Sequence, residues 1–105
     1  MILDKEIESE IIYEDEKIFC IKDINTAAKV HLLIIPKKRI NTINDLEDED
    51  KELIWSMVLV AKNLAKKYKI DESGYRLVWN TNKDGGQTVY HIHLHLLGGE
   101  KLREF

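Results

Sequence analysis

Hydrophobic and polar positions along the chain alternate first with one period and then with another. The segment "EIIYEDEKIFCIKDI" reads as two short strands around an acidic turn at Glu14 to Glu16, and "KVHLLIIPKK" as a third strand ended by Pro36. From Asn44 or Asp45 the pattern changes. Leu46, Leu53, Met57, Ala61, Leu64 and Tyr68 recur at spacings that lay them along one helical face, with Ile54, Val58 and Ala65 widening it. Acidic residues fill the first turns, and Lys66 and Lys67 the last, matching the helix dipole. Trp55, Leu59 and Val60 add apolar surface beyond one stripe, which either a partner subunit or a deeper wrap of the sheet would cover. After the helix, "YRLVWN" predicts a strand, "TNKDGG" a turn, and "TVYHIHLHLL" a last strand. Strands, one long helix, then strands imply an α+β fold with a mostly antiparallel sheet.

With 105 residues, one domain over 1–105 is expected, and neither an internal repeat nor a Pro- or Gly-rich linker divides it. A formal net charge of -3 gives no surface suited to long nucleic acid. The single cysteine, Cys20, allows no intrachain disulfide, and with no signal-like or membrane-spanning run a cytoplasmic protein without membrane contact is expected.

The chemistry lies in the last strand. His91, His93 and His95 alternate with Ile92, Leu94 and Leu96, so a strand would turn the imidazoles to one face and the aliphatic side chains to the core. Neighbouring imidazoles would stand roughly 6.6 Å apart. Two charged rings at that spacing repel by about 2.5 kcal/mol at an effective dielectric near 20, so a neutral imidazole is available near pH 7. It could serve as nucleophile, base or metal ligand. For a metal, no Cys, Asp or Glu stands within the strand to complete the site, although His31 could add a ligand. Nucleophilic attack at phosphorus fits better, because "DGGQT", residues 84–88, offers backbone N–H groups, the Gln87 amide and the Thr88 hydroxyl to a phosphoryl group.

"GGQTVYHIHLHLLGG" resembles the histidine triad (HIT) superfamily, and more narrowly its nucleotide-binding branch of purine nucleoside phosphoramidases; "IIYEDEKIFCIKDI", "VHLLIIPKKRI" and "GYRLVWN" extend the likeness over most of the chain. The resemblance implies a five-stranded, mostly antiparallel sheet with one long helix, continued across a homodimer. It implies a hydrolase that cleaves the phosphorus–nitrogen or mixed-anhydride bond of purine nucleoside 5′-phosphoramidates or acyl-adenylates through a nucleotidyl-histidine, with no cofactor and no metal. His93 matches the nucleophile. His95 and Thr88 match groups that hold the phosphate or leaving group, and His91 and His31 match histidines that orient the nucleophile. Gly86, Gln87 and Val89 match phosphate contacts, and Asn80 a residue near the phosphate and leaving group. Asp23, with Ile24 beside it, matches the carboxylate that takes both ribose hydroxyls. Leu3, Ile7 and Phe19 match the apolar slot for the base.

The chain departs from the pattern twice. It lacks the Cys-x-x-Cys of zinc-bearing relatives, so no structural zinc is expected, and it ends "GGEKLREF" where relatives continue into a longer segment, which leaves leaving-group preference open. A dinucleoside polyphosphate hydrolase, a low-turnover nucleotide sensor and a metal-dependent hydrolase are the competing readings.

Overall fold

The computed structural model describes residues 10–24 and 26–104. The strands are β1 (Ile11–Glu14), β2 (Ile18–Lys22), β3 (Val30–Pro36), β4 (Tyr75–Trp79) and β5 (Leu94–Gly98), and the long helix is α1 (Lys51–Lys67). All five strands form one sheet in the order β1-β2-β3-β5-β4, antiparallel at every junction. The expected α+β architecture with five strands and one long helix is present.

Period two decides which residues meet α1. Ile18 and Cys20 of β2, Leu32 and Ile34 of β3, and Leu94 and Leu96 of β5 form one core with Met57, Val60, Ala61, Leu64 and Ala65 of α1. Burying each large aliphatic side chain contributes about 1.5–3 kcal/mol. The residues between them point to the opposite face, where Ile21, Leu33 and Ile35 make a second, smaller cluster with Phe19 against it. That face also carries His31 and His95. Cys20 is buried, and desolvation pushes its thiol up to about 12.

The helix begins later than its pattern suggests. Two 3₁₀ turns, Ile43–Asp45 and Asp48–Asp50, precede α1. Short acidic side chains cause this: Asp45 accepts from the Thr42 N–H at 3.1 Å and Asp50 from the Glu47 N–H at 2.9 Å, closing separate capped turns instead of one continuous helix. Leu46 therefore lies outside α1. At the far end Lys69 takes φ 61°, and the Ile70 N–H returns to the Ala65 carbonyl at 2.9 Å, a Schellman closure that seats buried Ile70 against the helix. Val60, grouped above with the surplus apolar residues, belongs to the core, whereas Trp55 (61% exposed) and Leu59 (36%) stay uncovered. Among the described residues no helix is long and apolar enough to cross a membrane.

The last strand is also shorter than expected. Pairing starts at Leu94, so residues 88–93 run into β5 without belonging to it, held by the Ile92 N–H on the Ile40 carbonyl at 2.8 Å.

Candidate active site

Strand register builds the site. His95 stands opposite Leu33 of β3 and Val78 of β4, and His31 opposite Leu97. Asp23, one residue past β2, is tied to the same row by its N–H on the His31 carbonyl at 3.0 Å. His31 and His95 have ring centroids 5.1 Å apart, and His93 and His95 4.9 Å apart. Two members of the sequence triad thus share the working face.

The third does not. His91 is 1% exposed, and its Nε2 meets the Pro36 carbonyl at 2.7 Å. The carbonyl accepts, so Nε2 carries the proton and the buried Nδ1, which has no partner, is a bare lone pair. Because this part of the chain precedes β5, strand alternation does not constrain the ring, and it turns inward to Pro36. Ile92, Leu94 and Leu96 are buried as expected.

Hydrogen-bond partners fix the proton positions on the other rings. His93 Nδ1 lies 2.8 Å from the His91 carbonyl and must donate to it, leaving the Nε2 lone pair for chemistry. His31 Nδ1 accepts the Ala27 N–H at 3.0 Å, so its proton sits on Nε2. That Nε2 lies 2.9 Å from His95 Nδ1 and 3.3 Å from Asp23 Oδ2. His95 Nδ1 is then an acceptor, and His95 exposes an Nε2–H. His31, whose match is a histidine that orients the nucleophile, contacts His95.

Neutral rings are also what the electrostatics favour. Desolvation first, then the neighbouring His93 and His31, drive His95 down to about 4 against the pull of Asp23. Desolvation lowers His31 as well, opposed by the Asp23 carboxylate, and lowers His91 against the Pro36 carbonyl. These shifts make folding pH-dependent. An unfolded histidine binds a proton near pH 6.5 while folded His95 resists until about 4, so stability falls as pH drops through that window. We expect denaturant unfolding at pH 4.5 to show a loss on the order of 2 kcal/mol relative to pH 7.5, after allowance for the solvent His95 still meets, and His95→Gln to lessen the drop.

Asp23, His31 and His95 also place a ligand atom each within 4.8 Å of one another. The Ala27 bond works against a metal there. A cation on His31 Nε2 needs the ring proton on Nδ1, where it would face the Ala27 N–H head-on.

Beside the histidines lies a tight turn. The N–H groups of Gly85, Gly86 and Gln87 bond back to Asn82 and Lys83, so the donors that the glycines were expected to offer are consumed inside it. The Gln87 amide is likewise engaged: its nitrogen donates to the Asn41 carbonyl at 2.7 Å and the Val89 carbonyl at 3.1 Å, and its oxygen accepts the Asn82 N–H at 2.9 Å. Gln87 is buried and holds the turn. Among the described residues the Thr88 hydroxyl and the N–H groups of Thr88 and Val89 make no hydrogen bond. Asn80 donates to the Gly85 carbonyl at 2.7 Å, and a Cβ on Gly86, at φ +87°, would come to 3.5 Å of the Asn80 amide.

Ile24 is 74% exposed next to Asp23, and Phe19 lies half-buried on the site face. Leu3 and Ile7 lie outside the described residues. Sequence reasoning passed over Ala27 and the carbonyls of Pro36 and Asn41, and it read Gly85 only as a backbone donor, whereas a Cβ there would collide with the Thr81 backbone. A surface cavity of about 580 Å³, lined by charged residues including Lys17, Lys38 and Glu52, contains none of the histidines; chemistry rather than volume locates this site.

Known proteins resemble this chain over most of its length. The HIT domain family matches residues 4–102. A purine nucleoside phosphoramidase of Escherichia coli K12 is 46% identical over 101 residues, covering 96% of this chain and 85% of that protein. The crystal structure of a HIT family hydrolase from Legionella pneumophila Philadelphia 1 superposes with a TM-score of 0.92 at 51% identity, covering 97% of this chain and 91% of that one. A histidine triad protein from Clostridium difficile gives 0.92 at 35% identity, covering 99% of this chain and 90% of that one. Paired imidazoles with opposed proton positions, beside a turn that frees Thr88, thus sit in a chain that belongs to the HIT family.

Proposed function

We propose that this chain is a nucleotide-binding hydrolase of the purine nucleoside phosphoramidase kind. The single observation that carries the reading is the His91 carbonyl on His93 Nδ1, which leaves His93 Nε2 as a lone pair beside the Nε2–H of His95. In this reading His93 Nε2 attacks the α-phosphorus of a purine nucleoside 5′-phosphoramidate or acyl-adenylate. A nitrogen–phosphorus bond forms as the bond to the amine or acyl group breaks, its electron pair going to the leaving atom. Water then cleaves the nucleotidyl-histidine. Over both steps water supplies the hydroxyl that ends on phosphorus and the proton that ends on the leaving group.

Thr88 and the N–H groups of Thr88 and Val89 meet the phosphoryl oxygens, and His95 meets the leaving atom. Asp23 accepts the ribose hydroxyls, exposed Ile24 and Phe19 contribute apolar surface for the base, and Gly86, Gln87 and Asn80 shape the phosphate loop. This reading uses imidazoles, the Asp23 carboxylate, the Thr88 hydroxyl and backbone groups, and invokes no metal or cofactor. A buried thiol suits a reducing, cytoplasmic setting. The test is release of AMP from adenosine 5′-phosphoramidate in the presence of a chelator: turnover that persists supports the reading, and its absence at saturating substrate overturns it.

The partner is a second copy. Trp55 and Leu59, four residues apart on one helix face, are exposed, and β4 is a sheet edge. Sedimentation at micromolar concentration should show a dimer, and Trp55→Glu with Leu59→Glu should shift it to monomer.

A further inference from the structure

We propose that the backbone N–H of Ala27, acting through His31, is a positioning group for His95, which it commits to presenting a hydrogen-bond donor to the leaving group. The proposal rests on the phosphoramidase reading and extends it to the direction of a hydrogen-bond chain.

That chain runs one way. Ala27 donates to His31 Nδ1 at 3.0 Å, His31 Nε2 then donates to His95 Nδ1 at 2.9 Å, and His95 is left with its proton on Nε2. An imidazole in water exchanges freely between two neutral forms, so a ring without a fixed partner offers the substrate a donor only part of the time. Here a backbone amide, which cannot reverse its polarity, removes the choice from two rings in succession. Each bond also polarises the next. His93 is fixed the opposite way by another backbone group, the His91 carbonyl at 2.8 Å. A main-chain donor and a main-chain acceptor thus give adjacent rings opposite tasks, one a lone pair for phosphorus and the other an N–H for the group that departs.

Ala27 belongs to the segment between Asp23 and β3, whose Lys29 N–H is held by the Glu100 carboxylate at 2.7 Å. Asp23 Oδ2, 3.3 Å from His31 Nε2, is the second acceptor available to the same proton. Sugar hydroxyls that occupy this carboxylate leave His95 as the remaining acceptor. The nucleoside end of a substrate thereby strengthens the donor at its leaving-group end, a use of remote binding energy for orientation.

The test has a spectroscopic arm and a kinetic arm. Imidazole ¹⁵N spectra of the native protein, free and with AMP, should place the ring proton on Nε2 in His31 and His95 and on Nδ1 in His93. A His95 proton on Nδ1, or a His95 exchanging between forms with AMP bound, overturns the proposal. In the kinetic arm His31→Gln, whose amide nitrogen reaches where Nε2 stood, is compared with His31→Asn, whose amide oxygen replaces Nδ1 but which offers His95 nothing. With AMP binding confirming both sites as folded, the glutamine variant should keep at least tenfold more kcat on adenosine 5′-phosphoramidate, with KM values within about threefold. Equal kcat values, or the reverse order, overturn the proposal. Should the variants fail to bind AMP, the spectra of the native protein decide. Native protein with the expected ring protons but no AMP release would overturn the phosphoramidase reading instead.

Discussion

Replacement of His93 by alanine is expected to lower AMP release from adenosine 5′-phosphoramidate by about 10⁴-fold or more, at unchanged chelator concentration and with AMP binding retained within tenfold. The reason is positional. Of the rings on the working face, His93 alone has its proton drawn away from the substrate side, by the His91 carbonyl at 2.8 Å. His95 has an available N–H but no available lone pair, because His31 occupies its Nδ1 at 2.9 Å. It therefore cannot take over the attack. Single-turnover experiments quenched in base should trap a nucleotide on the native protein and none on the variant. Turnover by the variant above about one hundredth of the native rate would mean that water, not His93, attacks phosphorus.

Gly85→Ala should produce the next largest effect. A Cβ at this position would lie 2.3 Å from the Thr81 carbonyl oxygen and 3.0 Å from the Thr81 nitrogen, and both are backbone atoms with no rotamer through which to retreat. The turn must open. Opening it disturbs the Asn80 bond to the Gly85 carbonyl and the three bonds that anchor Gln87, and so moves Thr88. We expect a loss of roughly 2–3 kcal/mol in denaturant unfolding. At a temperature where the variant is still folded, kcat/KM should fall by about tenfold to a hundredfold, since small displacements of positioning groups are costly. Gly86→Ala meets no such backbone wall, its nearest contact being the Asn80 amide at 3.5 Å, although its φ of +87° adds strain of a different kind. A Gly85→Ala protein with native stability and native kcat/KM would show that the turn does not hold the phosphate loop.

What could be read from the sequence was whatever periodicity controls. Alternation in "HLHLL" put His95 on one face and Leu94 and Leu96 on the other, and the helical repeat found Met57, Ala61 and Leu64. Where regular structure stops, so did the reading. His91 lies just before β5, free of alternation, and its ring is buried against Pro36. Asp45 and Asp50 look like the opening of a helix, yet their carboxylates close separate turns. Gln87 looks like a ligand because amides bind phosphate well, and the same capacity lets it hold a turn together. Ala27 could not have been found at all. Its contribution is a main-chain N–H, common to every residue but proline, and only tertiary placement brings it to His31.

The order of strands has a bearing on how the protein comes apart. Asp23, His31 and His95 hang from β2, β3 and β5, the three inner strands, while β1 and β4 form the edges. Fraying usually begins at edges, where backbone amides have one neighbour instead of two. Loss of β1 would thus leave the reacting groups in register, and separating His31 from His95 requires rupture of the β3–β5 ladder that also holds the helix-side core. The His31–His95 contact and the helix-side core thus share one cooperative unit, so that contact should persist through a denaturant titration until the fold itself is lost.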